Sequence, residues 1–428
     1  MFRFSVRPLV VALALSLAAC ASIPYAADDE LPTPVQVADG SPERAALNGE
    51  VWDAAVRYTE RLFYKRDLGG VPFAEQAAER RPEAVASPDA DQFYARLTEL
   101  LDLLDDDHTH VLSPVEREMV RAREQGRSRA GFGFMLTARG DDRFVSLVRP
   151  GTPAAEAGIL PGWKVETVNG FPVIVAPAPV VGRTDRIVFV DEAGERRTLD
   201  MTAVLIEPRP RFETRTLDGG VAYIRFDDFD KTRYDAFVAE MERLAEAPPP
   251  GLILDLRTNG GGRLDLSGLT ASWFFDDRQD FTILEGRFID KRLHVDSAPR
   301  PYLGPVAIVT GPGSASAAEL VAGVLQEKGR VVVVGGTTRG AVTGTRAINL
   351  PDGGLLRVGM IVMTTPARRS LEKVGVTPDI PVDDDWLAVR NGRDPQLERA
   401  LEVVQERAAA LADARAIEAS AGDGTDLS

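Results

Sequence analysis

The chain has 428 residues, more than one ordinary domain contains, and this length predicts two or three domains. Hydrophobic residues make up 44% of it, which is enough to build buried cores. The formal net charge of −15 argues against nucleic acid and anionic lipid headgroups as partners.

The first twenty residues have the pattern of a secretory leader, predicted to cover residues 1–19. Two arginines precede an apolar run from Leu9 to Leu17 that is too short to span a bilayer. Cys20, the only cysteine, follows this run in a way that resembles the lipobox of bacterial lipoproteins. The resemblance implies a lipid anchor at Cys20, and Ala21 after it favours the outer membrane, facing the periplasm. An ordinary cleaved leader with an incidental cysteine is the alternative.

Residues 20–45 are rich in Pro, Ala and Asp without periodicity, which predicts a tether. Apolar residues then recur at helical spacing, which predicts an N-terminal helical domain over residues 46–125. The segment from Asp105 to His110 contains three aspartates and two histidines. Their spacing fits neither a calcium loop nor a zinc site, so we predict no metal and no cofactor.

Residues 126–207 are predicted to form a β-rich domain that resembles a PDZ domain. The run Gly131-Phe132-Gly133-Phe134 opens a strand, and Asn169-Gly170 marks a later hairpin turn. In a PDZ domain the bare N–H groups of such a loop hold a peptide carboxylate, and the next strand pairs with the peptide. The resemblance implies recognition of substrate C-termini. A PDZ fold with a closed or unused groove is the alternative.

Strands and helices alternate over residues 208–408, which predicts an α/β domain, and residues 409–428 are predicted to be a disordered tail. Gly260-Gly261-Gly262 follows a buried strand, and its N–H groups can face an anion. Ser316 lies between a later strand and a helix, where a hydroxyl can attack a carbonyl while nearby N–H groups bind the oxyanion. Ser316 and Glu319 also fit a capping box, in which the serine only satisfies helix N–H groups.

The order of these motifs resembles the C-terminal processing, or tail-specific, serine protease superfamily over residues 46–405. The remaining motifs that carry the resemblance are Leu254-Asp255-Leu256-Arg257 before the glycines, Ser314-Ala315-Ser316-Ala317-Ala318-Glu319, and Gly375-Val376-Thr377-Pro378-Asp379. The resemblance implies a multidomain α/β protein with a crotonase-like ββα protease core and an inserted PDZ domain. It also implies Ser316 as the nucleophile and an oxyanion hole formed by the N–H groups of Ala317 and Gly262.

In the processing proteases the general base is a lysine 25 residues after the serine. This chain departs from that pattern, because it has Ala341 at the matching position. A second branch includes the tricorn protease core and sequences similar to the interphotoreceptor retinoid-binding protein. It uses a histidine before the PDZ domain and a glutamate near the last motif. The matching positions are His108 and Glu372, and the resemblance implies an imidazole base assisted by a carboxylate. His108 could instead only tie the helical domain to the core, and His110 is predicted to be structural or solvent-facing.

We therefore predict a membrane-tethered periplasmic serine endopeptidase that acts on proteins or peptides through Ser316, His108 and Glu372. The alternative is an inactive homologue that keeps the fold and binds peptides as an envelope lipoprotein. Ala341 favours the inactive homologue, because a serine hydroxyl needs a base to accept its proton. The joint presence of His108 and Glu372 favours the enzyme.

Overall fold

The computed structural model describes residues 34–422, except residues 107, 125–127, 141, 174, 175, 177, 208 and 384. The predicted leader, Cys20 and the first part of the predicted tether lie outside the described residues. In the part of the chain that is described, no helix is long and apolar enough to cross a membrane.

Helices form the first part of the described chain, and a short strand connects it to the core. The elements are α1 (Pro42–Leu62), α2 (Phe73–Val85), α3 (Ala90–Leu101), β1 (His110–Leu112) and α4 (Pro114–Glu124). The first helix begins within the predicted tether, because Ser41 caps it by accepting a hydrogen bond from the Arg44 N–H at 3.1 Å. Trp52, Phe63 and Phe93 are among the fully buried side chains of this part.

Residues 129–206 form a β-rich unit with its own buried cluster. Its elements are β2 (Arg129–Gly131), β3 (Phe134–Arg139), β4 (Asp142–Val148), α5 (Pro153–Glu156), β5 (Lys164–Val168), β6 (Phe171–Pro172), β7 (Thr184–Val190), β8 (Arg196–Thr202) and β9 (Val204–Ile206). The main sheet has the order β3-β4-β5-β7-β8, with β6 beside β5. Strand β3 is therefore an edge strand. Val145, Ile187 and Phe189 are fully buried in the cluster.

The remaining residues build the core domain from two sheets and several helices. Its strands are β10 (Phe212–Thr216), β11 (Ala222–Phe226), β12 (Leu252–Asp255), β13 (Gln279–Gly286), β14 (Ile289–Val295), β15 (Val306–Thr310), β16 (Val332–Gly335), β17 (Thr343–Asn349), β18 (Leu355–Thr364) and β19 (Ile380–Pro381). Its helices are α6 (Lys231–Glu246), α7 (Leu264–Ala271), α8 (Ala317–Glu327), α9 (Trp386–Arg390) and α10 (Pro395–Gly422).

The larger sheet has the order β10-β11-β12-β15-β16-β19, and its last five strands run parallel. Alternate residues of its buried strands face opposite sides. Leu252 and Leu254 pack with α6, α7, α8 and the second sheet, whereas Ile253 packs against α10. Because β12 and β15 are parallel neighbours, the turns that follow them lie at the same edge of the sheet. Those two turns carry the triple glycine and Ser316.

The second sheet has the order β1-β18-β13-β14, with β17 also beside β18. Strand β1 pairs with β18 through His110 opposite Arg357 and Leu112 opposite Leu355. The segment just before β1 contains His108. The helical part of the chain thus delivers this histidine to the core domain by adding a strand to its sheet.

The last helix continues beyond the end that the sequence predicted. It runs to Gly422, so the predicted disordered tail is wrong for residues 409–422, while residues 423–428 lie outside the described part of the chain. The segment is rich in alanine, which has the highest helix propensity, and its few polar residues do not interrupt the helix.

A buried ion cluster holds the carboxyl end of β12. Asp255 accepts hydrogen bonds from the Tyr223 hydroxyl at 2.9 Å and from the Arg257 guanidinium at 2.7 Å. Arg257 also pairs with Asp394, just before α10, at 2.7 Å. Burial raises the pKa of Asp255, but the charge and hydrogen bonds of Arg257 outweigh it and hold the pKa below its ordinary value of 3.8.

We expect Asp255→Asn to lower the free energy of unfolding by about 3 kcal/mol, because Arg257 loses a buried partner. The folded pKa lies below the unfolded one, so this stability is present above about pH 4 and is lost as the pH falls through the folded pKa. Urea denaturation at several pH values measures the effect, with exposed Asp413→Asn as the control. A difference between wild type and Asp255→Asn that stays constant down to pH 2 would contradict this account.

Candidate active site

Ser316 lies in a strained turn between β15 and α8. Its backbone has φ 54° and ψ −119°, a combination that is uncommon for a residue other than glycine. Ser316 and Glu319 form the capping box that the sequence offered as an alternative. A simple helix cap, however, has an extended backbone at this position. Backbone strain of this kind persists only where the surrounding structure imposes it.

Hydrogen bonds fasten the serine turn to the triple-glycine turn. The Ser314 hydroxyl donates to the Leu256 carbonyl at 2.8 Å, and the Ala315 N–H donates to the Asn259 carbonyl at 3.0 Å. The Asn259 side chain is fully buried and accepts the Gly261 N–H at 2.9 Å. The two turns therefore form one hydrogen-bonded block at the edge of the larger sheet.

Gly261 brings bare backbone against the serine turn, and Gly262 brings it against the segment of Asp228 and Phe229. A Cβ on Gly261 would lie 2.6 Å from the Ser316 Cβ, and a Cβ on Gly262 would lie 2.6 Å from Oδ1 of Asp228. Both residues also have positive φ angles, of 106° and 131°. Only glycine combines that backbone conformation with so close an approach.

Two N–H groups at this junction have no acceptor among the described residues, those of Gly262 and Ala317. By contrast, Gly260 donates to the Asp227 carbonyl at 3.3 Å and Gly261 is bound by Asn259. Ala317 is the first residue of α8, where N–H groups lack partners within the helix. These are the two donors that the sequence predicted for the oxyanion hole.

The carboxylate of Glu319 joins the serine turn to the loop at residues 338–341. Its Oε2 accepts the N–H groups of Ser316 at 2.9 Å and Ala341 at 2.8 Å. Its Oε1 accepts the Gly340 N–H at 2.7 Å and the Thr338 hydroxyl. Since one oxygen binds both Ser316 and Ala341, the position at which the processing proteases carry a lysine lies directly beside the serine.

His108 and Glu372 form a pair on the other side of the same loop. Nε2 of His108 lies 3.2 Å from Oε1 of Glu372, and each side chain is only 15% exposed. Oε2 of Glu372 accepts the Val342 N–H at 2.9 Å and the Thr343 hydroxyl at 3.0 Å. Burial raises the pKa of Glu372, but His108, Val342 and Thr343 outweigh it and hold the pKa below its ordinary value of 4.5. The carboxylate is therefore ionised near neutral pH.

Contacts from the core domain also hold the segment that carries His108. The Lys373 ammonium donates to the Asp105 carbonyl at 2.9 Å and pairs with its carboxylate at 2.8 Å. The Thr109 hydroxyl donates to the Asp106 carboxylate and accepts the Gly359 N–H at 2.9 Å. Lys373 thus pairs with the segment that carries His108, one residue after Glu372.

His110, predicted to be structural or solvent-facing, lies on β1 opposite Arg357. Burial, followed by the charge of Arg357, lowers the pKa of its imidazole, which favours the neutral ring. Among the described residues no group of three or more His, Cys, Asp or Glu side chains is arranged to hold a metal.

The residues predicted to bind a peptide carboxylate lie between β2 and β3. The Phe132 side chain is buried in the β-rich unit, and its carbonyl accepts the Ala154 N–H at 2.8 Å. Gly133 has φ 94°, and a Cβ there would lie 2.1 Å from the Thr152 hydroxyl oxygen. Gly131 ends β2 and Phe134 begins β3, whose outer edge has no strand partner among the described residues.

Comparison with known proteins identifies the family. Residues 220–382 match the model of Peptidase family S41. The chloroplastic C-terminal processing peptidase of Tetradesmus obliquus is 29% identical over 322 residues, which cover 69% of each chain. The carboxyl-terminal-processing protease of Picosynechococcus sp. is 26% identical over 331 residues, which cover 74% of this chain and 80% of the relative. These matches support the C-terminal processing protease superfamily for this chain.

Solved structures support the fold of this superfamily member. The photosystem II D1 C-terminal processing protease superposes with a TM-score of 0.60 at 24% identity, over 78% of this chain and 93% of that chain. Mature CPAF complexed with lactacystin gives 0.59 at 11% identity, over 85% of this chain and 98% of that chain. The predicted superfamily and multidomain α/β fold are confirmed, and S41 peptidases are serine-type peptidases.

The sequence analysis missed the residues that hold the site of this superfamily member together. Glu319 was considered only as half of a capping box, and Asn259 and Ser314 were not singled out. Asn259 stands between the buried strand β12 and three glycines, a place where an amide side chain can satisfy a glycine N–H. The partners of Glu319 on the loop at residues 338–341 leave no local signal, because they lie about twenty residues away.

We expect Glu319→Gln to lower the free energy of unfolding by about 3 kcal/mol. The amide keeps the size of the side chain, but its NH2 group faces donors that a carboxylate oxygen accepts in the wild type. Chemical denaturation measures this loss, with exposed Glu406→Gln on α10 as the matched control. An unfolding curve identical to that of the wild type would contradict the role of Glu319 in joining the two segments.

Proposed function

We propose that this protein is a serine endopeptidase in which Ser316 is the nucleophile, His108 the general base and Glu372 the carboxylate that orients it. The observation that carries the proposal is the pair of His108 and Glu372 at 3.2 Å, attached through Val342 to the loop that Glu319 binds to Ser316. Ala341 excludes a lysine at the position that the processing proteases use. His108, held by the carboxylate of Glu372, meets the same requirement for a group that accepts the serine proton.

In the proposed reaction the Ser316 hydroxyl attacks the carbonyl carbon of the scissile peptide bond while His108 takes its proton. The oxyanion forms beside the free N–H groups of Ala317 and Gly262, which can bind it without rearrangement. His108 then donates the proton to the leaving amine, and a water molecule hydrolyses the acyl-enzyme by the same route. Throughout, the ionised Glu372 stabilises the imidazolium and holds the ring at Nε2.

We also propose that the β-rich unit acts as a PDZ domain that docks the C-terminus of a protein substrate. The relatives are named C-terminal processing proteases, and the unpaired edge of β3 offers main-chain groups to an extended peptide. The loop from Gly131 to Phe134 would hold the terminal carboxylate. The leader pattern supports a lipid anchor at Cys20 that holds the enzyme on the outer membrane, facing the periplasm.

The proposed roles of Ser316, His108 and Glu372 predict how point variants behave. We expect Ser316→Ala to abolish labelling by a fluorophosphonate probe, and His108→Ala to lower kcat/KM for a peptide by about 10³-fold, within the usual range for a general base. Glu372→Gln should also lower kcat/KM, because the imidazolium loses its carboxylate.

Labelling is measured on the full chain, with His294→Ala as the matched control, since His294 is an exposed histidine on β14. Wild-type protein that resists the probe yet binds C-terminal peptides would favour the inactive homologue instead. Full hydrolysis by His108→Ala would overturn the assignment of the base.

Peptide docking has its own test in the non-cleaving Ser316→Ala background. We expect a peptide with a free C-terminal carboxylate to bind more tightly than its amide, and Gly133→Ala to weaken that binding at least tenfold. A Cβ on Gly133 meets Thr152, whereas one on Gly140, also at positive φ in this unit, meets nothing within 4 Å. Gly140→Ala is therefore the control in a calorimetric titration. Equal affinity for acid and amide would rule out docking by the terminal carboxylate.

A further inference from the structure

Arg339 is an exposed arginine on the loop that joins the two halves of the site. Its backbone N–H donates to the Ser314 carbonyl at 2.9 Å, two residues before the nucleophile. The N–H of the next residue, Gly340, is bound by Glu319 at 2.7 Å. The backbone of Arg339 is therefore held beside the Ser316 turn, while its side chain is exposed to solvent.

The guanidinium of Arg339 has no acidic partner among the described residues, whereas four other cations around the site have one. Those cations and their partners are Arg211 with Asp227 and Asp228, Arg257 with Asp255 and Asp394, Arg263 with Asp265, and Lys373 with Asp105. A carboxylate of the protein pairs with each of these positive charges. In a chain with a net charge of −15, Arg339 presents a positive charge that no described neighbour uses.

We propose that Arg339 determines specificity by binding a carboxylate of the substrate close to the scissile bond, an inference that rests on the proposed peptidase function. A guanidinium offers a rigid fork of N–H donors that matches the two oxygens of a carboxylate. The carboxylate belongs either to an Asp or Glu side chain of the peptide or to its C-terminal α-carboxylate. Both sources present the same chemistry to the arginine.

The position of Arg339 limits how far its charge acts. At physiological ionic strength the attraction is screened over about 8 Å, so the arginine selects only groups bound near the Ser316 turn. The negative net charge of the chain and the ionised Glu372 both repel an acidic peptide, and the arginine offsets that repulsion locally. We therefore expect a preference confined to a few positions around the cleaved bond.

The test compares kcat/KM of the full chain for matched peptides that differ in one charge. One pair has Glu or Gln near the cleaved bond with an amidated C-terminus, and a second pair has a free or amidated C-terminus with neutral side chains. We expect the wild type to prefer the acidic member of one pair by about tenfold, and the preference to shrink at high salt. If Arg339→Gln loses the preference for Glu, the arginine binds the side-chain carboxylate of the substrate. If it loses the preference for the free acid, the arginine binds the C-terminal carboxylate of the substrate.

Charge reversal in Arg339→Glu should invert the preference toward a peptide with Lys in place of Glu. Arg415→Gln, an exposed arginine near the end of α10, serves as the control and should keep the wild-type ratios. Ratios near one in an active wild type, or wild-type ratios in both Arg339 variants, would overturn the inference. A wild type that a neutral fluorophosphonate does not label would instead refute the proposed function, and the inference would fall with it.

Discussion

The buried carboxylate of Glu319 is the interaction on which the arrangement of the site depends. A buried charge is very costly unless hydrogen bonds replace its water, and this one accepts four. Three of these donors are backbone N–H groups, so the carboxylate fixes chain positions more than side chains. It also supports the positive φ of Ser316, since a strained backbone persists only where its surroundings hold it. The Ser316 turn and the loop at residues 338–341 are therefore held together by one carboxylate.

The parallel sheet explains why the triple glycine and the serine meet. Strands β12 and β15 are neighbours with the same direction, so their following turns emerge at one edge. Asn259 and Ser314 then tie the turns together, and the cluster of Asp255, Arg257 and Asp394 braces this edge against the last helix. In this geometry the N–H groups of Gly260 and Gly261 donate to Asp227 and Asn259. The N–H groups of Gly262 and Ala317 have no acceptor among the described residues.

The elements that could be predicted from the sequence are those with a local signal. Motif order and hydrophobic patterns identified the superfamily and the multidomain α/β fold, and the glycine and serine turns lie where their motifs placed them. The partners of Glu319 and the contact between His108 and Glu372 could not be derived from local patterns, because long stretches of chain separate them. The end of α10 was mispredicted because alanine-rich composition was taken as disorder, although alanine favours helix.

The proposed base His108 and the proposed nucleophile Ser316 come from different parts of the chain, and this has a consequence for the proposed mechanism. In the processing proteases a lysine on the core loop serves as the base, so nucleophile and base share one domain. Here the corresponding loop carries Ala341, and the imidazole comes from the segment before β1, which the pairing of β1 with β18 and the contact of Lys373 with Asp105 hold in place. Docking of the helical part on the core then becomes a condition for activity, since loosening it removes His108 without disturbing Ser316.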